Sequence, residues 1–187
     1  MEKNLKILVF DDNENNRKVA EAQFGTYDLT VVGTYDEAQK ALSQETFDVV
    51  LTDLLVPVSS QMLGNMKEHF AGQEMPVGIF IGLLAAVRSR AKYVAVFTDS
   101  DHHAHPASAC FDAFNNGGES KPTVFTVEGS KVILSNTRNW VGYFLPDNLS
   151  DDLLSSGRLK NYLENGGGFE GLVHAKNWAA LLKYLLE

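Results

Sequence analysis

One cysteine stands among 187 residues. Cys110 alone cannot form an intrachain disulfide, and a cysteine-based zinc cage is excluded with it. Basic residues are also in short supply: 16 Lys and Arg face 24 Asp and Glu, a formal charge of −8. That balance disfavours DNA, RNA or an anionic membrane as the partner. No apolar run reaches the roughly 18 residues that a membrane span needs. The opening MEKNLKILVF lacks the apolar core and small-residue cleavage site of a signal peptide. There is no internal repeat and nothing of low complexity beyond Gly166–Gly168. That triplet has no strand before it and no Gly-Lys-Ser/Thr after it, so it is not a phosphate loop. What remains is 44% AVILMFWYC and 21% charged residues, an ordinary globular composition. The chain is long enough to bury a core of its own. The expectation is a single domain over 1–187 in the cytoplasm.

The first half alternates strand and helix. Leu5–Phe10 (LKILVF) is a short aliphatic run followed by acidic residues, as suits a strand covered on both faces. Asn13–Phe24 begins polar and places Val19, Ala20 and Phe24 on one helical face. Asp28–Val32 reads as a second strand. Thr34 with Glu37 three residues on reads as a capping box, ahead of a stripe of Ala38, Ala41 and Leu42. Phe47–Thr52 is a third strand ending at Asp53, and Tyr93–Thr98 a fourth. Strands alternating with helices through short connections predict a parallel sheet with right-handed crossovers.

Between the third and fourth strands the beat breaks. Val56–Glu74 reads mainly as a long loop with room for a short helix near 61–70. Pro76–Arg90 is apolar nearly all round, which predicts burial against the sheet and the loop, with a dimer face as the alternative. Pro106 suits the first turn of a helix running to about Phe114. Beyond Asn115, Pro122–Val127 and Lys131–Ser135 flank Glu128-Gly129-Ser130 as a hairpin. Asn136–Gly171 is loop-rich, with Asp151–Glu164 readable as a short helix, and Lys176–Leu186 is an amphipathic last helix.

Three aspartates stand at strand ends: Asp11 and Asp12 after the first, Asp53 after the third. In an open parallel sheet, ligands bind at the carboxyl ends of the strands, where these groups would converge. Three clustered carboxylates repel one another unless a cation sits among them, and Mg²⁺, which takes hard oxygen ligands, is the natural one. Without it, at least one carboxylate should hold its proton above the ordinary range.

KILVFDDN, FDVVLTDLLVP and YVAVFT resemble the receiver domain of two-component response regulators. The resemblance runs from Leu5 to about Phe114, with extra segments near 58–75 and, beyond it, 115–171. It implies a flavodoxin-like α/β fold, a five-stranded parallel sheet of order 2-1-3-4-5. It implies that Asp53 is the phosphoacceptor, and that Asp12, Asp53 and the backbone carbonyl of Leu55 hold Mg²⁺, with Asp11 contacting it through water. Thr98 would be the switch hydroxyl. A histidine kinase or phosphotransfer protein would supply the phosphoryl group. Output would pass by protein–protein contact to another protein, in a chain that autophosphorylates rather than turns over substrate. The family carries a lysine at the end of strand five, where this chain has Asn136. Lys176 is favoured over Lys121 as its replacement, with a solvated surface position open for either. The strand-five aromatic is also missing, its place offering only Val132, Ile133 and Leu134. The insertion at Val58–Glu74 lies where a kinase would dock.

Two alternatives stay open. Thr98–Pro106 (TDSDHHAHP) places Asp99, Asp101, His102, His103 and His105 at the same end of the sheet. Neutral imidazole suits transition metals, so a metal-dependent hydrolase is one alternative. The plainer reading of the loop is a polar one whose aspartates favour the following helix N-terminus. The other alternative is a pseudo-receiver, never phosphorylated, acting as a binding module. Cys110 reads as a buried filler.

Overall fold

The computed structural model describes residues 5–57, 72–87, 90–100, 104–114, 122–136, 143–146 and 172–187. The helices expected near 61–70 and over Asp151–Glu164, and with them Lys121, His102 and His103, lie outside the described residues.

The first half follows the expected alternation: β1 (Lys6–Phe10), α1 (Glu14–Phe24), β2 (Asp28–Val32), α2 (Tyr35–Gln44) and β3 (Phe47–Asp53). Asn13 caps α1 by accepting from the Asn15 N–H, and Thr34 and Glu37 form the reciprocal capping box of α2. Two short strands, β4 (Val56–Pro57) and β5 (Glu74–Met75), pair antiparallel across the insertion. Then come α3 (Val77–Val87) and β6 (Ala91–Thr98). The next helix, α4, is one turn and a half (Pro106–Cys110), and the chain tightens into a 3₁₀ turn over Phe111–Phe114. β7 (Val124–Val127) and β8 (Ser130–Asn136) form the predicted hairpin. Its turn residues Glu128 and Gly129 have φ of 47° and 89°. Two successive left-handed residues match the twist of the flanking strands. β9 (Tyr143–Pro146) and β10 (Leu172–Ala175) pair antiparallel as a separate ribbon that the sequence did not suggest, and α5 (Trp178–Leu186) closes the chain.

The main sheet is flavodoxin-like. Its order is β2-β1-β3-β6-β8-β7. The first five are mutually parallel, which is the expected 2-1-3-4-5 arrangement, and β7 adds a sixth, antiparallel edge strand. Side chains alternate between the faces. Ile7, Val9, Val49, Leu51, Ala95 and Phe97 pack toward α1 and α5, beneath Val19, Phe24, Trp178 and Leu181. Leu8, Phe10, Val50 and Val94 face α2 and α3, under Leu42, Ile81 and Ala85. Both faces being covered is what makes the central strands read as continuous apolar runs.

α3 divides its apolar surface. Val77, Gly78, Ile81, Gly82, Ala85 and Ala86 are buried on the sheet, while Phe80, Leu83 and Val87 are exposed. Among the described residues, no helix is long and apolar enough to cross a membrane. Cys110 is exposed, not buried, because α4 is short and turns its Ser108 inward instead.

Candidate acidic site at the carboxyl ends of the strands

Three neighbouring parallel strands deliver the site. β1 ends just before Asp11, β3 ends on Asp53 and β6 ends on Thr98. Asp11 and Thr98 are wholly buried, Asp53 nearly so and Asp12 partly. Ligand oxygens of Asp11, Asp12 and Asp53 lie within 4.8 Å of one another. That spacing and donor set suit one small hard cation of the Mg²⁺ kind.

The lysine arrives from an unexpected direction. In the sheet, β8 sits beside β6 and pairs Asn136 with Thr98. Asn136 turns away from the acids, donating to the Asp112 carboxylate at 2.9 Å and to the Ser108 carbonyl at 3.4 Å, and so fastens α4 and the 3₁₀ turn. Lys176, expected within the last helix, lies just before it, between β10 and the cap Asn177. Its side chain has no exposed surface. Its ammonium is 2.7 Å from Asp11 Oδ2, 2.7 Å from Asp53 Oδ1 and 3.7 Å from Asp99 Oδ1. It also lies 5.3 Å from the Trp178 ring centre and 5.8 Å from that of Phe97, so aromatic faces close the side away from the acids.

Backbone donors and polar side chains hold the carboxylates. Asp53 Oδ1 accepts from the Leu54 N–H at 2.7 Å, and Asp11 Oδ1 from the Asn13 N–H at 2.9 Å. Arg17 donates to the carbonyls of Asp11 and Asp12 at 2.9 and 2.6 Å, pinning the strand end where the chain turns into α1. The Thr98 hydroxyl accepts from the Ser100 N–H at 3.1 Å, which orders the start of the next loop. Leu55 is buried two residues past Asp53. α3 begins directly against this loop: the Gly78 N–H donates to the Leu54 carbonyl at 3.1 Å. A methyl group on Gly78 would fall 1.6 Å from the Asp53 carbonyl oxygen, so only glycine permits that approach.

Burial governs the protonation of the acids. It pushes Asp53 well up from the ordinary carboxylate range; Lys176 pulls it down, and Asp11 and Asp99 add to the rise. Asp11 and Asp12 are also raised, first by burial, with Lys176 again opposing. The rise expected from mutual repulsion therefore has desolvation as its larger cause. For Lys176, burial acts downward, but Asp11, Asp53 and Asp99 together outweigh it and raise the ammonium, which stays charged.

The polar loop after β6 divides differently from expectation. Asp99 faces Lys176 and Asn16. The cap of α4 is His105, whose Nδ1 accepts from the Ala107 N–H at 3.1 Å. The structure thus brings Asp11, Asp12, Asp53, Thr98 and Lys176 to one end of the sheet, and commits His105 Nδ1 to a helix. Asp99, expected at this end of the sheet, belongs to the site; Asn16 and Arg17 also belong to it and were missed as such. The pattern Asp11-Asp12-Asn13-x-x-Asn16-Arg17 was the available signal: the polar start of α1 places Asn16 and Arg17 one turn above the acidic pair.

No protein-family description matches the chain, and no curated protein does. Among solved structures it is similar to a BeF3-activated DrrB receiver domain, with 17% identity and a TM-score of 0.40 over 87% of this chain and 100% of that one.

Proposed function

We propose that the chain is a receiver-like signalling module that accepts a phosphoryl group on Asp53. The observation carrying this reading is the buried Lys176 ammonium, 2.7 Å from both Asp53 and Asp11 at the end of the sheet where the three acids converge. A carboxylate nucleophile next to a fixed cation and a strand-end hydroxyl is the equipment that phosphoryl transfer needs, since the protein's part is mainly positioning and charge stabilisation. Asp53 Oδ1 is held by Leu54 and Lys176, leaving Oδ2 to attack phosphorus. The new bond is Oδ2–P. The bond from phosphorus to the donor breaks, and its electron pair leaves with the donor, a phosphohistidine of a kinase or phosphotransfer protein. Lys176 then pairs with the phosphoryl oxygens, and Thr98, one strand over from Asp53, is placed to hydrogen-bond to them. Asp11, Asp12, Asp53 and the Leu55 carbonyl would hold Mg²⁺, which when bound neutralises charge on the transferring group. Output passes through contact with another protein.

The test uses the intact chain, a small-molecule phosphodonor and Mg²⁺. The mass should rise by one phosphoryl group in the parent and stay unchanged in Asp53→Asn. A parent whose mass never rises, or a variant that gains as much, sinks the reading.

One observation favours a second reading. Lys176 bridges Asp11 and Asp53 directly, so its ammonium does in part what a divalent cation would do. A pseudo-receiver that binds partners without phosphorylation fits that arrangement. It would take up no phosphoryl group and melt at the same temperature with and without Mg²⁺. Of the histidines that the hydrolase alternative invokes, His105 is described, and its Nδ1 serves as a helix cap.

A further inference from the structure

We propose that Asn16 is a positioning residue that sets the Lys176 ammonium in the acidic site; the inference rests on the reading of that site given above. Asn16 is 1% exposed and uses three polar groups on four different partners. Its Oδ1 accepts from the backbone N–H of Lys176 at 3.0 Å. Its Nδ2 straddles Asp11, 3.2 Å from Oδ1 and 3.1 Å from Oδ2, and reaches Asp99 Oδ2 at 3.4 Å. Its main-chain carbonyl accepts from the Trp178 indole N–H at 3.0 Å. One residue therefore joins the first turn of α1 to the Lys176 backbone by its side chain and to Trp178 by its main-chain carbonyl, across about 160 residues of sequence.

The need for such a clamp follows from the topology. A lysine on a central strand would be fixed by its ladder bonds on both sides. Lys176 sits instead beyond the end of β10, which pairs with β9 and not with the main sheet. Its backbone must be located by something else, and the hydrogen bond to Asn16 does that within the site. The amide geometry suits both jobs at once: the oxygen takes the lysine backbone, and the nitrogen holds Asp11 facing the same ammonium. A buried network that is fully satisfied in this way specifies one arrangement and not several. Asn16 does not touch the transferring group, and acts through Lys176 and Asp11.

The test measures Lys176 itself, with the full-length chain and an N-hydroxysuccinimide ester that acylates accessible amines, read by peptide mass mapping. In the parent, Lys176 should react far more slowly than the exposed Lys183. In Asn16→Ala, with circular dichroism unchanged, it should react about tenfold faster, as expected when a buried hydrogen bond restraining a local opening is lost. If Asn16→Ala does not fold, Asn16→Ser replaces it, with the same expectation. Lys176 staying as protected in the folded variant as in the parent overturns the proposal, whatever phosphorylation does. Phosphoryl uptake gives the second readout. Asn16→Ala and Lys176→Met should each slow it, and the double variant should be no slower than Lys176→Met alone; losses that multiply would place Asn16 outside Lys176's function and overturn the proposal. If no phosphoryl group is taken up while Lys176 is released in Asn16→Ala, the phosphoacceptor reading falls and the positioning role stands.

Discussion

At the scale of single residues, the site is a balance between burial and one cation. Asp11, Asp53 and Lys176 form a pair of ion contacts with almost no water around them. Breaking a buried pair by removing one partner is strongly destabilising, because the charge left behind has neither solvent nor counterion. Lys176→Met should cost about 3 kcal/mol in the metal-free protein, read as a lower urea midpoint in chelator. Added Mg²⁺ should recover part of the loss by binding the folded state. A midpoint equal to the parent's would mean that Lys176 does not neutralise the acids. The aspartates were legible in the sequence because acidic residues at matched strand ends have few structural uses, and Lys176 because the strand-five position lacked its lysine. Asn16 and Arg17 were not. A polar residue at the start of a helix or in a loop is ordinarily a cap or a solvated group, and only the three-dimensional arrangement shows which one turns inward.

At the scale of elements, the alternation of β1 through β3 was readable from aliphatic runs and caps, and the hairpin of β7 and β8 from Glu128-Gly129. The ribbon of β9 and β10 was not, since strand pairing between 143–146 and 172–175 spans a long separation without a turn signal. Why α3 carries Gly78 and Gly82 was also not readable: at these two positions the helix lies so close to the Asp53 backbone and to Val96 that a side chain meets neighbouring atoms. The two helical glycines should differ in a measurable way. At Gly78 the added methyl would meet backbone, the Asp53 carbonyl oxygen at 1.6 Å. At Gly82 it would meet the tip of a side chain, Val96 Cγ2 at 2.9 Å. Backbone cannot yield without moving the Asp53 loop, so Gly78→Ala should cost on the order of 3 kcal/mol and reduce phosphoryl uptake. Gly82→Ala should cost less, about 1–2 kcal/mol, because the buried, β-branched Val96 must shift by a few tenths of an ångström and alanine's better helix propensity offsets part of that. Chemical denaturation of both variants checks the order; equal midpoints would show that α3 does not constrain Asp53.

For the whole molecule, the strand–helix patterns made a parallel sheet with right-handed crossovers readable from sequence, while the order of its five parallel strands came only with the resemblance to receiver domains. The route by which the lysine reaches the site could not, because β8 fills the strand position and the chain returns to the acids only at Lys176. That return has a consequence for stability. The folded state raises the proton affinity of Asp53, Asp11 and Asp12, with burial as the first cause in each. A raised folded pKa means that the native chain binds more protons than the unfolded one. The associated stability is full below the ordinary carboxylate range and is lost as pH climbs through the folded values. Lys176, raised in its turn, contributes stability that persists until strongly alkaline pH, so it does not reverse the trend near neutrality. In chelator the parent should therefore melt lower at neutral than at mildly acidic pH, by a few degrees for each ~1 kcal/mol lost. Asp53→Asn removes the most strongly raised group and should show a smaller fall, while Lys176 keeps its contacts with Asp11 and Asp99. Mg²⁺ should flatten the parent's profile, since a cation among the acids favours their charged forms. Melting temperatures across that pH range, with and without Mg²⁺, decide the point. A parent whose stability is level or rising toward neutral pH in chelator would show that Lys176 compensates the burial of the acids completely, and that no divalent cation is needed to complete the site.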